Sequence, residues 1–234
     1  VEGRTLRVLK PVLIVSFYFP PAGGGGVQRV LALCRNLPEL GFEVHVLAPD
    51  DPKWEAHDPG LLDEVPPSTV VHRARYRGPS QRQSPAARLA EADGARRLAL
   101  RGRLAGRRLL LPDPEVVWWP DAVRTGTRVV REHGIEAVLS TSPPASVHLV
   151  GAGIARRTGA RLVTDFRDSW LAHPHRRYQR RSVRAKRAAE ARMARAVLRR
   201  TDAITAVTDA IRAEAVSLAP PGTPAAIVPN GVDF

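Results

Sequence analysis

The chain has 234 residues, room for one large domain or two small ones and for a core that needs neither disulfide nor metal. Its single cysteine, Cys34, excludes an internal disulfide, and no apolar run approaches the ~18–20 residues that span a bilayer. The formal charge of +13 is carried almost wholly by arginine, with lysine only at Lys10, Lys53 and Lys186. Such a charge favours polyanions, but the abundance of Ala beside Arg is also what a GC-rich genome encodes, so clustering says more than the total.

Taken in chain order, apolar runs and helical patterns alternate. After the basic N-terminal segment, "PVLIVSF" (11–17) is a continuous apolar run ended by Pro20–Pro21 and glycines rather than by a cleavage site, so it reads as a doubly covered strand and not as a leader. "VQRVLALCRNLPEL" sets Val27, Val30, Leu31, Cys34 and Leu37 at helical spacing, with Gly41 as its stop. Strands follow at 42–49 and 69–76, then 137–142, 161–166, 203–208 and 225–229, with helices at about 121–133, 144–158, 176–200 and 209–217. This rhythm predicts an α/β Rossmann-like fold, a mostly parallel sheet with helices on both faces, in a single domain over 1–234. Residues 77–114, rich in Arg and Ala and punctuated by Gly and Pro, interrupt it and read as a mobile, partly helical excursion.

The glycines of "SFYFPPAGGGGVQR" stand between the first strand and the first helix, at the carboxyl edge of the sheet where parallel α/β folds bind ligands. Backbone N–H groups and the helix dipole can receive an anion there, typically phosphate. The spacing is neither a P-loop nor G-x-G-x-x-G. Asp50 and Asp51 after the second strand keep a dinucleotide fold open as a low-ranked rival that the paired prolines suit poorly.

On these residues the segment "VLIVSFYFPPAGGGGVQRVLALCRNLPELGFEVHVLAP" resembles the opening of a GT-B glycosyltransferase of family 4. "STSPPASVHLVG" (140–151), "VTDFRDSW" (163–170) and "TDAITAVTDAIRAEAV…IVPNGVDF" resemble later stretches of the N-terminal, acceptor-side domain, in family order. The resemblance implies one half of a GT-B fold, with "NGVDF" at the start of the crossover to a donor-binding C-terminal domain that this chain lacks. It also implies that Gly23, Gly24, Gly25 and Gly26 border the diphosphate and sugar of a nucleotide-sugar donor, with Gln28 and Arg29 as polar contacts. Arg167 and Asp168 become the catalytic candidates beside the transferred sugar, and no bound metal or other cofactor is expected.

Further candidates come from position. Asp165, Ser140, Thr141 and Ser142 end strands at the ligand edge and are candidate acceptor or cleft residues, although Pro143–Pro144 after the hydroxyls equally suits plain helix capping. His148 reads as a buried structural histidine. Trp118 and Trp119 suit stacking on an acceptor sugar, an interface or simple core packing. The seven histidines are scattered, and His173 and His175 lack a completing ligand set. In the excursion, Arg96, Arg97, Arg101, Arg103, Arg107 and Arg108 alternate with leucines in a pattern suited to an anionic membrane surface. The basic helix at 176–200 reads as a solvated face or a second such surface.

The sequence therefore predicts the acceptor-side domain of a retaining glycosyltransferase that moves a sugar from a nucleotide sugar to a lipid-linked or polysaccharide acceptor. The setting expected is cytoplasmic, with peripheral contact to the inner face of the cell membrane. Its alternative is a stand-alone acceptor- or membrane-binding subunit of a split glycosyltransferase, docking a partner that supplies the donor half. Nothing beyond charge favours nucleic acid as a partner.

Overall fold

The computed structural model describes residues 9–54, 56–78, 89–107, 110–171 and 181–231. Its centre is a seven-stranded, all-parallel sheet in the order β3-β2-β1-β4-β5-β6-β7. The strands are β1 (Lys10–Ser16), β2 (Phe42–Pro49), β3 (Val70–Ala74), β4 (Ala137–Ser142), β5 (Arg161–Phe166), β6 (Ala203–Ala206) and β7 (Ala225–Ile227). The helices are α1 (Gln28–Asn36), α2 (Gly94–Arg107), α3 (Trp119–Glu132), α4 (Ser146–Thr158), α5 (Arg181–Leu198) and α6 (Asp209–Leu218).

The unbroken apolar character of β1 has a direct cause. Leu13 and Val15 enter one core layer with Leu47, Val123, Val138 and Ile154, whereas Val12 and Ile14 enter the opposite layer with Val30, Cys34, Val44 and Val46. A strand covered on both faces has no polar side to show. Cys34 is wholly inside this second layer, and burial pushes its thiol up to about 11, so it stays an inert thiol. A third core layer joins Phe166, Trp170, Ile204 and Ala206 to Ala194, Val197 and Leu198 of α5 and Ala215 of α6.

Close helix packing depends on small residues. A Cβ on Gly126 of α3 would stand 2.3 Å from Ile154 Cδ1, and one on Gly153 of α4 would stand 2.8 Å from Val123 Cγ2. The glycines therefore let α3 and α4 approach until their ridges interlock.

The excursion is helical over α2, whose Arg96, Arg97 and Arg101 are exposed, as is Leu98 at 73%. Arg103 and Arg107 belong to the same helix, while Arg108 lies outside the described residues. No helix among the described residues is long and apolar enough to cross a membrane.

The strand order reverses between β1 and β4: the chain goes from β1 outward to β2 and β3, then returns to lay β4 on the other side of β1. At such a switch point the loops after the two central strands diverge and open a crevice at the carboxyl edge. The glycine loop follows β1, and the Pro143–Pro144 turn follows β4.

Candidate active site

One wall of the crevice is the loop between β1 and α1. It is pinned from outside by residues that follow β2: Gly23 N donates to Ala56 O at 2.8 Å, and Asp58 N donates to Pro21 O at 2.9 Å. The glycines answer different needs. Gly24 has φ +83°, a left-handed conformation that favours glycine. A Cβ on Gly23 would press to 3.3 Å from Asp58 Cβ, and one on Gly26 would meet the Tyr18 ring at 3.4 Å. Gly24 and Gly25 are exposed and have nothing within 4 Å of an added Cβ, so this stretch opens outward. Next, α1 starts from Val27 with no side-chain cap, leaving the positive end of the helix turned to the same loop.

The opposite wall is the tip of β5. Asp165 is 1% exposed, and its carboxylate is saturated. Arg29 donates through Nε to Oδ2 at 2.8 Å and through Nη2 to Oδ1 at 2.7 Å. Thr141 Oγ1 donates to Oδ2 and Thr205 Oγ1 to Oδ1, each at 2.7 Å. Burial alone would raise the Asp165 pKa, but the Arg29 pair and the two threonines outweigh it and hold the carboxyl below its ordinary value. Arg29 is consumed by this role, since its Nη1 also donates to Pro229 O at 3.1 Å. The expected donor contact at Arg29 is therefore a brace joining α1, β5 and the last described segment. Gln28 stands exposed one residue earlier.

Two residues beyond Asp165 the balance changes. Arg167 is 8% exposed and links both loops of the switch point: Nε donates to Ser142 O at 2.5 Å, and Nη1 donates to Gly26 O at 2.6 Å. Its Nη2 is buried without a hydrogen-bond partner. Burial pulls the Arg167 pKa down, with Asp165 opposing, yet a guanidinium stays charged at any working pH. Tyr18 stands beside it, and burial, with Glu115 and Asp113 adding to it, pushes the phenol up to about 12. Asp168 is exposed at the mouth.

The remaining sequence candidates separate. Ser140 faces inward, 2.9 Å from His148 Nδ1, and Ser142 Oγ donates to Asp165 O at 3.4 Å, so both hydroxyls serve the fold. Trp118 is wholly buried against Phe17, ring centroids 5.7 Å apart, and its Nε1 donates to Ala74 O. Trp119 donates to Leu149 O under the guanidinium of Arg157. Trp118 is taken up in the core, whereas Trp119 is half-buried and lines a groove of about 610 Å³ with Val116, Leu149 and Met193. Tyr18 is an aromatic residue at the crevice, and Trp170, with Asp113 and His148, lines a cavity of about 190 Å³ behind the Pro143–Pro144 turn. Sequence reading missed Asp113 because it closes the irregular excursion, and treated His148 as structural.

Away from the crevice, His45 of β2, His72 of β3 and His133 at the end of α3 bring their ring nitrogens within 4.8 Å of one another, a grouping that their spacing in sequence hides. His45 Nδ1 and His72 Nε2 are 3.0 Å apart, and burial together with the neighbouring histidines holds His72 down at about 4.

A doubly covered parallel sheet with an anion-ready loop and a buried arginine at its switch point defines a Rossmann-like ligand-binding domain. The model of glycosyltransferase family 4 matches residues 23–234, and the chain belongs to that family. Solved structures agree on the fold. Sucrose-phosphate synthase from Thermosynechococcus elongatus superposes with a TM-score of 0.59 at 15% identity, over 96% of this chain and 49% of that one. Anabaena HepE, crystallised with UDP and glucose, gives 0.50 at 15% identity, over 96% and 45%. A UDP-2-fluoro-glucose complex from Phytolacca americana gives 0.51 at 13%, over 95% and 54%. The chain thus spans about half of each of these proteins. No curated protein matches the sequence significantly.

Proposed function

We propose that this chain is the acceptor-side half of a retaining glycosyltransferase, working on a nucleotide-sugar donor and a lipid-linked or polysaccharide acceptor. The observation that carries the reading is Arg167: a buried cation whose third nitrogen has no protein partner, fixed between the glycine loop and the Pro143–Pro144 turn. A buried N–H left unsatisfied is costly unless a ligand completes it, and a phosphate or sugar oxygen is the complement of a guanidinium. Family membership, the UDP-glucose complex of HepE and the UDP-2-fluoro-glucose complex from Phytolacca support a donor of that class.

In this reading the glycine loop and the uncapped start of α1 face the donor diphosphate, while Arg167 steadies charge as the sugar–phosphate bond lengthens. The acceptor hydroxyl attacks the face that the diphosphate leaves, and the departing phosphate oxygen takes its proton. The chain's own part is positioning and electrostatic stabilisation. The Arg29–Asp165 brace keeps both walls in register. The exposed arginines of α2 give the domain an anionic-surface contact suited to a lipid-linked acceptor.

The test combines calorimetry with a panel of nucleotide sugars, a transfer assay, and co-sedimentation with anionic vesicles. Vesicle binding that weakens with salt, beside feeble donor affinity and no turnover by this chain alone, is the expected result. Tight donor binding with turnover by this chain alone refutes the half-enzyme reading.

A further inference from the structure

Three of the chain's seven histidines, carried by three separate elements, converge on one point. His45 lies midway along β2, His72 on the edge strand β3, and His133 just past the end of α3. The β2–β3 register sets His45 beside Val70 and Leu47 beside His72. All four therefore share one sheet face, and Leu47 packs there with Val123 and Val129 of α3. Because α3 leads directly into β4, His133 comes down toward the amino end of the sheet, away from the crevice.

His45 is wholly buried and has two polar neighbours: Nε2 lies 3.2 Å from Glu43 Oε1, and Nδ1 lies 3.0 Å from His72 Nε2. A carboxylate only accepts, so in the neutral ring Nε2 carries the proton and Nδ1 turns its lone pair toward His72. A carboxylate holds a metal-ligating imidazole in the same way. Hydrogen bonding joins His45 to His72, but a third imidazole enters the same space: the His133 ring leans on His45 with centroids 4.4 Å apart. One ring nitrogen from each residue lies within 4.8 Å of the other two. Around Zn²⁺, tetrahedral bonds of about 2.0–2.1 Å set ligand nitrogens about 3.3 Å apart. The His45–His72 pair is already near that spacing, and exposed His133 has room to swing inward.

We propose that His45, His72 and His133 form a binding site for a divalent transition-metal ion, with Glu43 orienting His45. Neutral imidazoles suit Zn²⁺, Cu²⁺ or Ni²⁺ and not the hard ions Mg²⁺ and Ca²⁺. Coordination by His72 Nε2 moves that nitrogen's proton to Nδ1 through solvent, and the ring stays neutral. Glu43 and Glu132 bring negative charge to the cluster, while the neighbouring cation Arg128 is paired with Glu132 at 2.9 Å. The exposed side at His133 gives the ion a way in and leaves a fourth position to water. The ion fastens edge strand β3 and the end of α3 to β2. Its role is structural, and it stands or falls independently of the glycosyltransferase reading.

The experiment titrates the chain, freed of any affinity tag and stripped with a chelator, with ZnCl₂ by calorimetry, MgCl₂ serving as control. The expected result is a single Zn²⁺ per chain, no Mg²⁺, and a thermal midpoint that rises as the ion binds. H133A, which removes only an exposed ring, should weaken Zn²⁺ binding by at least roughly tenfold, and its zinc-free midpoint, expected to match that of the wild type, reports that it is folded. E43A should cost about tenfold, the low end for losing an orienting carboxylate. E43Q, whose amide oxygen still accepts from Nε2, should restore part of that loss. H173A/H175A, which removes the pair of histidines closest in sequence, should bind as the wild type does. Absence of stoichiometric Zn²⁺ binding, equal affinity in H133A or E43A, or loss of binding in H173A/H175A overturns the site and leaves three packed imidazoles.

Discussion

The two halves of the crevice use similar side chains to opposite ends. On the side of Asp165, a carboxylate, a guanidinium and two threonine hydroxyls satisfy one another so fully that nothing is left for a ligand. On the side of Arg167, two residues further along, a guanidinium, a carboxyl, an imidazole and an indole each keep a buried polar atom unbonded. A strand tip rich in charge therefore holds both a saturated brace and groups with unspent hydrogen-bonding capacity, and residue type does not separate them. What separates them is whether the hydrogen-bonding capacity is spent inside the protein.

The comparison breaks most visibly if the brace is cut. Asp165→Ala leaves the Arg29 guanidinium, 9% exposed, buried without its counter-charge. Losing one partner of such a pair costs about 3–5 kcal/mol, and denaturant unfolding should register it as a large fall in midpoint. The wild type carries the same information in its acid limb. Because the folded pKa of Asp165 is depressed, its stabilisation is complete above the unfolded carboxyl value of about 4 and is lost as pH falls below that toward the folded value. The acid midpoint of Thr205→Ala, which removes one donor to the carboxylate, should therefore move to higher pH than that of the wild type.

A smaller effect sharpens the other half. Arg167→Lys keeps the charge but not the fork that reaches Ser142 O and Gly26 O and, in the proposed reading, leaves a third nitrogen for a ligand. If the proposed transfer activity is assayed in the complete enzyme, a lost charge-assisted bond of about 1.5–3 kcal/mol should lower kcat/KM roughly ten- to a hundredfold, with kcat carrying the change. An unaltered kcat would place Arg167 on the structural side of the comparison. Gly24→Ala, forced to φ +83°, should cost about 1–2 kcal/mol of stability, whereas Gly25→Ala, without that constraint, should cost less. The smallest effect lies at the exposed surface. Arg97→Gln on α2 should weaken anionic-vesicle partition by about 1 kcal/mol, roughly fivefold, and only at low salt.

Much of the architecture was legible because its signals are local. The run 11–17 and the alternation of 42–49 gave strands whose observed bounds differ by at most a residue, and Gly41 and Gly159 close their elements with left-handed φ. Where the lengths differ, tertiary context decides: the third strand stops at Ala74 rather than Tyr76, whose N–H is taken by Asp50 Oδ1. The site was legible only in position. "TDFRD" marks a strand tip, but nothing in it says that Asp165 faces Arg29, 136 residues earlier, or that Arg167 keeps one nitrogen free. Trp118 and Trp119 attracted attention as adjacent aromatics, yet Trp118 fills the core and Trp119 lines a separate groove, while Trp170, in the same stretch as Arg167, lines the cavity behind the Pro143–Pro144 turn. Hydrogen-bond saturation is a property of the folded network and has no local sequence signature.

The most direct measurement is a ¹H–¹⁵N NMR titration of this chain with UDP-glucose, following the Gly23–Gly26 and Gln28 amides and the Arg167 side-chain N–H together. The account predicts weak, saturable shifts concentrated on those groups, with the Arg29 side chain unmoved because Asp165 already holds it. Shifts confined to other surfaces, or none in the glycine loop and at Arg167, would contradict it.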